Sequence, residues 1–191
     1  MKPALAVAAF LAVALPACGS KGPERPPWAD GREIVTQARP GARQDLSNLP
    51  ARILALHNRE RASAGVPPLA WDSSLAAAAA SYGPALAARG RLAHSAQDGR
   101  PGQGENLWMG TAGAFSIEEM VGSWAAEKSV FLPGTVPQVS RSGAFGDVAH
   151  YTQMIWRTTS RVGCALHRGR TADYLICRYS PPGNVVGQRV P

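Results

Sequence analysis

Apolar residues recur along this chain in three helical stripes and then give way to an alternating pattern in its last third. In the first stripe Ile53, Leu56, His57, Glu60 and Ala64 fall at i, i+3, i+4, i+7 and i+11, which predicts a helix from about Ser47 to Gly65. A histidine on an otherwise inward stripe is read as a hydrogen-bonded core residue, so His57 stays outside any site. Asp72 is placed to N-cap a second helix with Leu75, Ala79, Tyr82 and Leu86 on one face. Gly83-Pro84 interrupts it. Because the stripe stays in phase beyond Pro84, a kink is expected rather than a stop, with Gly90 closing the helix. Ser116 and Glu119 form a capping box for the third helix, whose stripe is Ile117, Met120, Val121 and Trp124. At about 100° per residue Glu127 lies roughly 20° from Met120, which aims a carboxylate at the rim of that stripe.

Between and after these helices the pattern changes. Gly102, Gly104 and Gly110 put Glu105-Asn106 on a loop or its edge, and residues 129–147, with Pro133 and Pro137, read as a long irregular loop. The segment Ala149 to Trp156 carries His150, Tyr151, Thr152 and Gln153 within a core-forming run, and polar groups buried there need partners. If Cys164 pairs with Cys177 across an antiparallel hairpin, Val162 faces Tyr179 and Leu166 faces Leu175, so one face is wholly apolar or cysteine. The turn then falls at Gly169-Arg170-Thr171-Ala172, and the neighbouring His167 is expected to be exposed.

Composition and the N-terminal residues set the compartment. Met1-Lys2-Pro3 and the apolar run Ala4 to Leu15 resemble a secretory signal, too short to span a bilayer stably. Leu15-Pro16-Ala17-Cys18 resembles a bacterial lipobox. Three cysteines leave one odd beside the hairpin pair, and Cys18 stands where a lipid would be attached. The expected organisation is a signal at 1–17, a Pro/Gly-rich tether at 18–46 and one domain at 47–191, anchored to a bacterial envelope membrane through Cys18. Pro16 is unusual in a lipobox, so plain secretion after Ala17, as a soluble or periplasmic protein, stays open. The net charge of +7 is compatible with anionic envelope ligands, but the basic residues are scattered and a solvated surface is the default reading. Export and the lack of interleaved aromatic residues exclude nucleic acid. A monomer is expected.

His94-Ser95, Gly104-Glu105-Asn106, Trp124-x-x-Glu127, His150-Tyr151-Thr152-Gln153-Met154-Ile155-Trp156, Val162-Gly163-Cys164-Ala165 and Cys177 to Asn184 resemble, in that order, the signature of the CAP superfamily. Its members include cysteine-rich secretory proteins, venom antigens, plant pathogenesis-related proteins and bacterial SCP-domain proteins. The resemblance spans about 48–187. It implies an α+β fold, a three-layer α-β-α sandwich with a C-terminal disulfide-linked hairpin, in which His94, Glu105, Glu127 and His150 line one cleft. Ala149 stands where the family often has glycine, a departure that would displace His150 if the position needs positive φ.

Two neutral imidazoles suit Zn²⁺ or a similar divalent metal, so His94 and His150 are the expected ligands. Glu105 and Glu127 would orient them or contact a bound water, with Tyr151 and Gln153 as weaker supports. The same set admits a hydrolase of peptide or cell-wall bonds with Glu105 or Glu127 as base. Turnover is left open, since no nucleophile triad and no His-Glu-x-x-His word is present. A third reading is lipid or sterol binding near Phe131-Leu132, and a fourth is a purely structural His/Glu network.

Overall fold

The hairpin is the centre of the molecule. In a computed structural model, described over residues 46–99 and 101–191, strands β4 (Arg161–Arg168) and β5 (Ala172–Ser180) pair in the register expected from the sequence, with Val162 opposite Tyr179, Cys164 opposite Cys177 and Leu166 opposite Leu175. Cys164 and Cys177 are joined by a disulfide, and their Cα atoms lie 4.1 Å apart, as suits a narrow, non-hydrogen-bonded pair. Strand β1 (Ala70–Trp71) adds in parallel to β4, and β2 (Gly104–Thr111) adds antiparallel to β5, giving the order β1-β4-β5-β2.

Strand alternation sorts this sheet into two faces, each covered by helix. On one side lies α2 (Ser73–Arg89), whose Ala79, Tyr82 and Leu86 pack with Leu107, Ala165, Tyr174 and Ile176. The approach is close: a Cβ on Gly163 would stand 2.3 Å from both the Asp72 carbonyl oxygen and the Ala76 nitrogen. On the other side lie α1 (Leu49–Ser63), α3 (Ile117–Ala126) and α4 (Ala149–Met154). Their Ile53, Leu56, Met120, Trp124 and Met154 share a core with Trp108, Val162, Cys164, Leu175, Cys177 and Tyr179. This is the expected three-layer arrangement. Leu46 packs against the same core.

The caps are those read from the sequence. Asp72 accepts from the Ser74 and Leu75 amides, and Ser116 and Glu119 bond reciprocally at the start of α3. α2 runs through Pro84, whose missing N–H would have met the carbonyl of Ala80, a residue on the exposed side of the helix and open to solvent. Gly83 serves packing instead, because a Cβ there would lie 2.4 Å from the Cβ of His167. His167 is thus half-buried between α2 and the Tyr174 ring, not exposed as its nearness to the turn implied.

Two further expectations need correction. Glu105 and Asn106 lie inside β2 rather than on a loop, since the flanking glycines answer a need for space: Cβ atoms on Gly104 and Gly110 would meet Gln153 Oε1 at 2.2 Å and the Trp108 ring at 2.4 Å. Residues 129–147 are irregular but not loose. Val130, Val136 and Val139 are buried with Val148, Tyr151, Ile155, Trp156 and Val190 in a second core, and β3 (Gly134–Thr135) pairs antiparallel with β6 (Arg189–Val190). Among the described residues no helix is long and apolar enough to cross a membrane. The signal, Cys18 and nearly all of the tether lie outside the described residues.

Candidate functional site

Strand β2 is an outer strand of the sheet, and its side chains alternate between the two helical layers. Glu105 points to the α2 side, level with Arg178 of β5. Its side chain is buried and its two oxygens are fully engaged. Oε1 accepts from His94 Nδ1 at 2.8 Å and from the Ser95 amide at 3.0 Å, while Oε2 accepts from Ser95 Oγ at 2.9 Å and pairs with Arg178 Nη2 at 3.1 Å. Burial alone would raise the carboxyl's pKa, but the donors from His94 and Ser95 and the Arg178 charge outweigh it, and the net shift is downward. Glu105 is therefore a fixed carboxylate.

Glu127 follows the last turn of α3, at the rim expected from its angle, and its side chain is also buried. His150 Nδ1 donates to Oε1 at 2.5 Å, and the Tyr151 amide donates to Oε2 at 2.9 Å. Here burial outweighs the partners, and the pKa is raised. The His150 ring stacks on Trp124, centroids 5.9 Å apart and planes 11° from parallel. Ala149 opens α4 with no positive φ, so the substitution of glycine leaves no strain there.

Each histidine thus has the same local chemistry. A carboxylate can only accept, so Nδ1 carries the proton and a neutral ring keeps its lone pair on Nε2. Nε2 of neither ring has a hydrogen-bond partner among the described residues. The side chains of His94 and His150 are 58% and 29% exposed, which leaves that nitrogen accessible to a ligand.

Hydrogen bonds join the four expected residues as two His/Glu pairs. His94–Glu105 lies on the α2 side of β2 and His150–Glu127 belongs to the three-helix layer. The neighbours Glu105 and Asn106 connect them, because Asn106 Nδ2 donates to the His150 carbonyl at 3.1 Å. Among the described residues no group of three or more His, Cys, Asp or Glu side chains is arranged to hold a metal ion.

Sequence reasoning overlooked several supporting residues. Ser95 and Arg178 hold Glu105, and the Arg178 role is visible only once β2 and β5 are in register. Asn106 also donates to the Tyr179 hydroxyl at 3.2 Å, and that hydroxyl meets His57 Nε2 at 2.9 Å. Tyr151 supports the site through its amide. Gln153 instead holds Thr159 and the Gly183 amide, so it braces the segment after β5 rather than the histidines.

Comparison with known proteins places these features. Residues 54–179 match the model of the family described as CAP: Cysteine-rich secretory protein family. The chain is 40% identical over 144 residues to a PR-1 type pathogenesis-related protein of Sambucus nigra, covering 74% of this chain and 81% of that protein. Pathogenesis-related protein 1B of Nicotiana tabacum is 41% identical over 138 residues, covering 71% and 76%. Among solved structures, NaASP2 with Zn²⁺ superposes with a TM-score of 0.62 at 23% identity, covering 80% of this chain and 88% of that one. The venom allergen-like protein 4 of Schistosoma mansoni gives 0.54 at 22%, covering 76% and 97%. At these identities the two structures speak for the fold alone.

Proposed function

Because the chain belongs to the cysteine-rich secretory protein (CAP) family, we propose that it is an extracytoplasmic CAP domain whose His94 and His150 hold a divalent cation of the zinc class. One observation carries this reading: each imidazole is oriented by a buried carboxylate at Nδ1 and keeps Nε2 without a partner among the described residues. Histidines that ligate metals have this arrangement, with the other ring nitrogen donating to a carboxylate. The donor set is borderline-soft nitrogen, suited to zinc, and two protein ligands leave positions for water or a small ligand. That NaASP2 was determined with Zn²⁺ supports the choice of metal.

The same geometry favours orientation as the role of Glu105 and Glu127. Their oxygens accept from fixed donors, which disfavours a general base acting on water. Lipid carriage at Phe131-Leu132 is disfavoured because the Phe131 ring packs edge-on against Tyr151, 5.4 Å between centroids. A lipid anchor on Cys18, which would hold this domain at an envelope membrane, is part of the proposal.

The test is zinc titration by calorimetry on wild type and on a His94→Ala, His150→Ala double variant of unchanged thermal stability. Binding tighter than about 10 μM in wild type and absent in the variant is expected. Equal heats in both, or none in either, would overturn the metal reading.

A further inference from the structure

His94 presents a structural problem: it sits on residues 91–96, which form neither helix nor strand, and its ring is more than half exposed. Something must fix it. Glu105 Oε1 holds the ring through Nδ1, and Glu105 Oε2 is held in turn by Arg178, its cross-strand partner on β5. The buried Arg178 guanidinium lies over the Tyr82 ring of α2, 5.7 Å from its centroid. The Tyr82 hydroxyl donates to the Ala93 carbonyl at 2.7 Å, one residue before His94, and accepts from Arg89 Nη1 at 2.9 Å.

These contacts close on themselves. From the His94 ring they run through Glu105 and Arg178 to the Tyr82 ring, then through the Tyr82 hydroxyl to the backbone that carries His94. We infer that Tyr82 and Arg178 are positioning residues for His94, setting the side chain through Glu105 and the backbone through Ala93, so that the accessible nitrogen of the ring is always Nε2. Tyr82 joins the two halves: its ring lies against the cation that fixes Glu105, and its hydroxyl fixes the peptide before the histidine. The consequence for metal affinity rests on the reading of His94 as a zinc ligand, whereas the consequence for the histidine itself does not.

The experiment uses the full chain, ¹⁵N-labelled at histidine and free of metal, with His94 assigned through a His94→Gln variant. Imidazole nitrogen shifts above the histidine titration range report which nitrogen carries the proton. Wild type is expected to hold His94 with the proton on Nδ1. Tyr82→Phe keeps the ring and loses only the hydroxyl, and is expected to fold normally while His94 reverts toward the mixture of a free imidazole. Arg178→Gln is expected to do the same, and if it fails to fold, Tyr82→Phe still decides the matter.

Zinc affinity should fall about tenfold in Tyr82→Phe, the lower end of what loss of an outer-shell partner costs. A His94 tautomer identical in wild type and Tyr82→Phe would overturn the inference, whether or not zinc binds. So would a wild-type His94 protonated on Nε2. A tautomer shift in a protein that binds no zinc would leave the inference standing and remove the metal reading.

Discussion

His57 carries its proton on Nδ1, because that nitrogen lies 2.8 Å from the Ile53 carbonyl, which can only accept. Nε2 must then accept from Tyr179, and the Tyr179 oxygen accepts from Asn106. Every proton in this buried chain has one place. Charging the ring would put a second proton into it, and burial, the larger cause, lowers the His57 pKa from 6.5 to about 4. The unfolded chain therefore takes up a proton as the pH is lowered through 6.5, and the folded chain only near 4. Stability is full above pH 6.5 and falls as pH drops through that window, by on the order of 3 kcal/mol from this group. Urea unfolding at pH 7, 5.5 and 4.5 should show the slope, and His57→Gln should remove this part of it. Glu105 acts in the same sense at lower pH. Its depressed pKa gives stability that is present above the ordinary carboxylate range and is lost as pH falls below it. At this scale the sequence was only partly legible. His57 is the core residue its stripe indicated, and the two His/Glu pairs use residues that the resemblance singled out. Arg178 and Ser95 escaped because their roles depend on strand register and on the fold of an irregular segment.

Elements are tied by a few contacts whose cost of removal is specific. Arg61 of α1 is fully buried and has no carboxylate partner among the described residues; it donates to the carbonyls of Pro67, Met154, Trp156 and Thr159 at 2.6 to 2.9 Å. It thereby closes the C-terminal end of α4, the helix that carries His150. Arg61→Ala should destabilise the fold by about 3 kcal/mol or more, measured by denaturant unfolding, since it strands buried carbonyls. Two glycine substitutions should diverge in the same assay. Gly163→Ala drives a methyl into the backbone of α2 and should cost on the order of 2 to 3 kcal/mol. Gly122→Ala, in α3 with nothing within 4 Å of the added carbon, should stabilise by about 0.5 to 1 kcal/mol. The helices and the hairpin register were readable because each rests on a local period. β2 was not, because its glycines signal a turn and a close approach in the same way, and only tertiary structure separates the two.

For the whole molecule, membership of a family of secretory proteins is consistent with an oxidising compartment, in which a bond such as Cys164–Cys177 persists. Replacing both cysteines with alanine should lower stability by about 2 to 4 kcal/mol in thermal or denaturant unfolding. Anchoring is tested separately: radiolabelled palmitate should enter the wild type and not Cys18→Ser, and the variant should leave the membrane fraction. Fold and family follow from motifs that lie in order along the chain. The proposed metal affinity does not, since it depends on how His94 and His150 are each held by a carboxylate.

That two neighbours on one outer strand serve the two pairs also bears on how such a chain can change over generations. Glu105 and Asn106 serve opposite layers only because they are neighbours in an alternating strand. Replacing either one leaves its neighbour's partners where they are, so lineages are free to lose one histidine pair and keep the other. A single-residue insertion or deletion within 104–111 has no such freedom. It exchanges the layers that every later side chain of the strand faces, and both pairs are lost at one stroke. Length variation should therefore collect before Gly104 and after Thr111, and be absent between them.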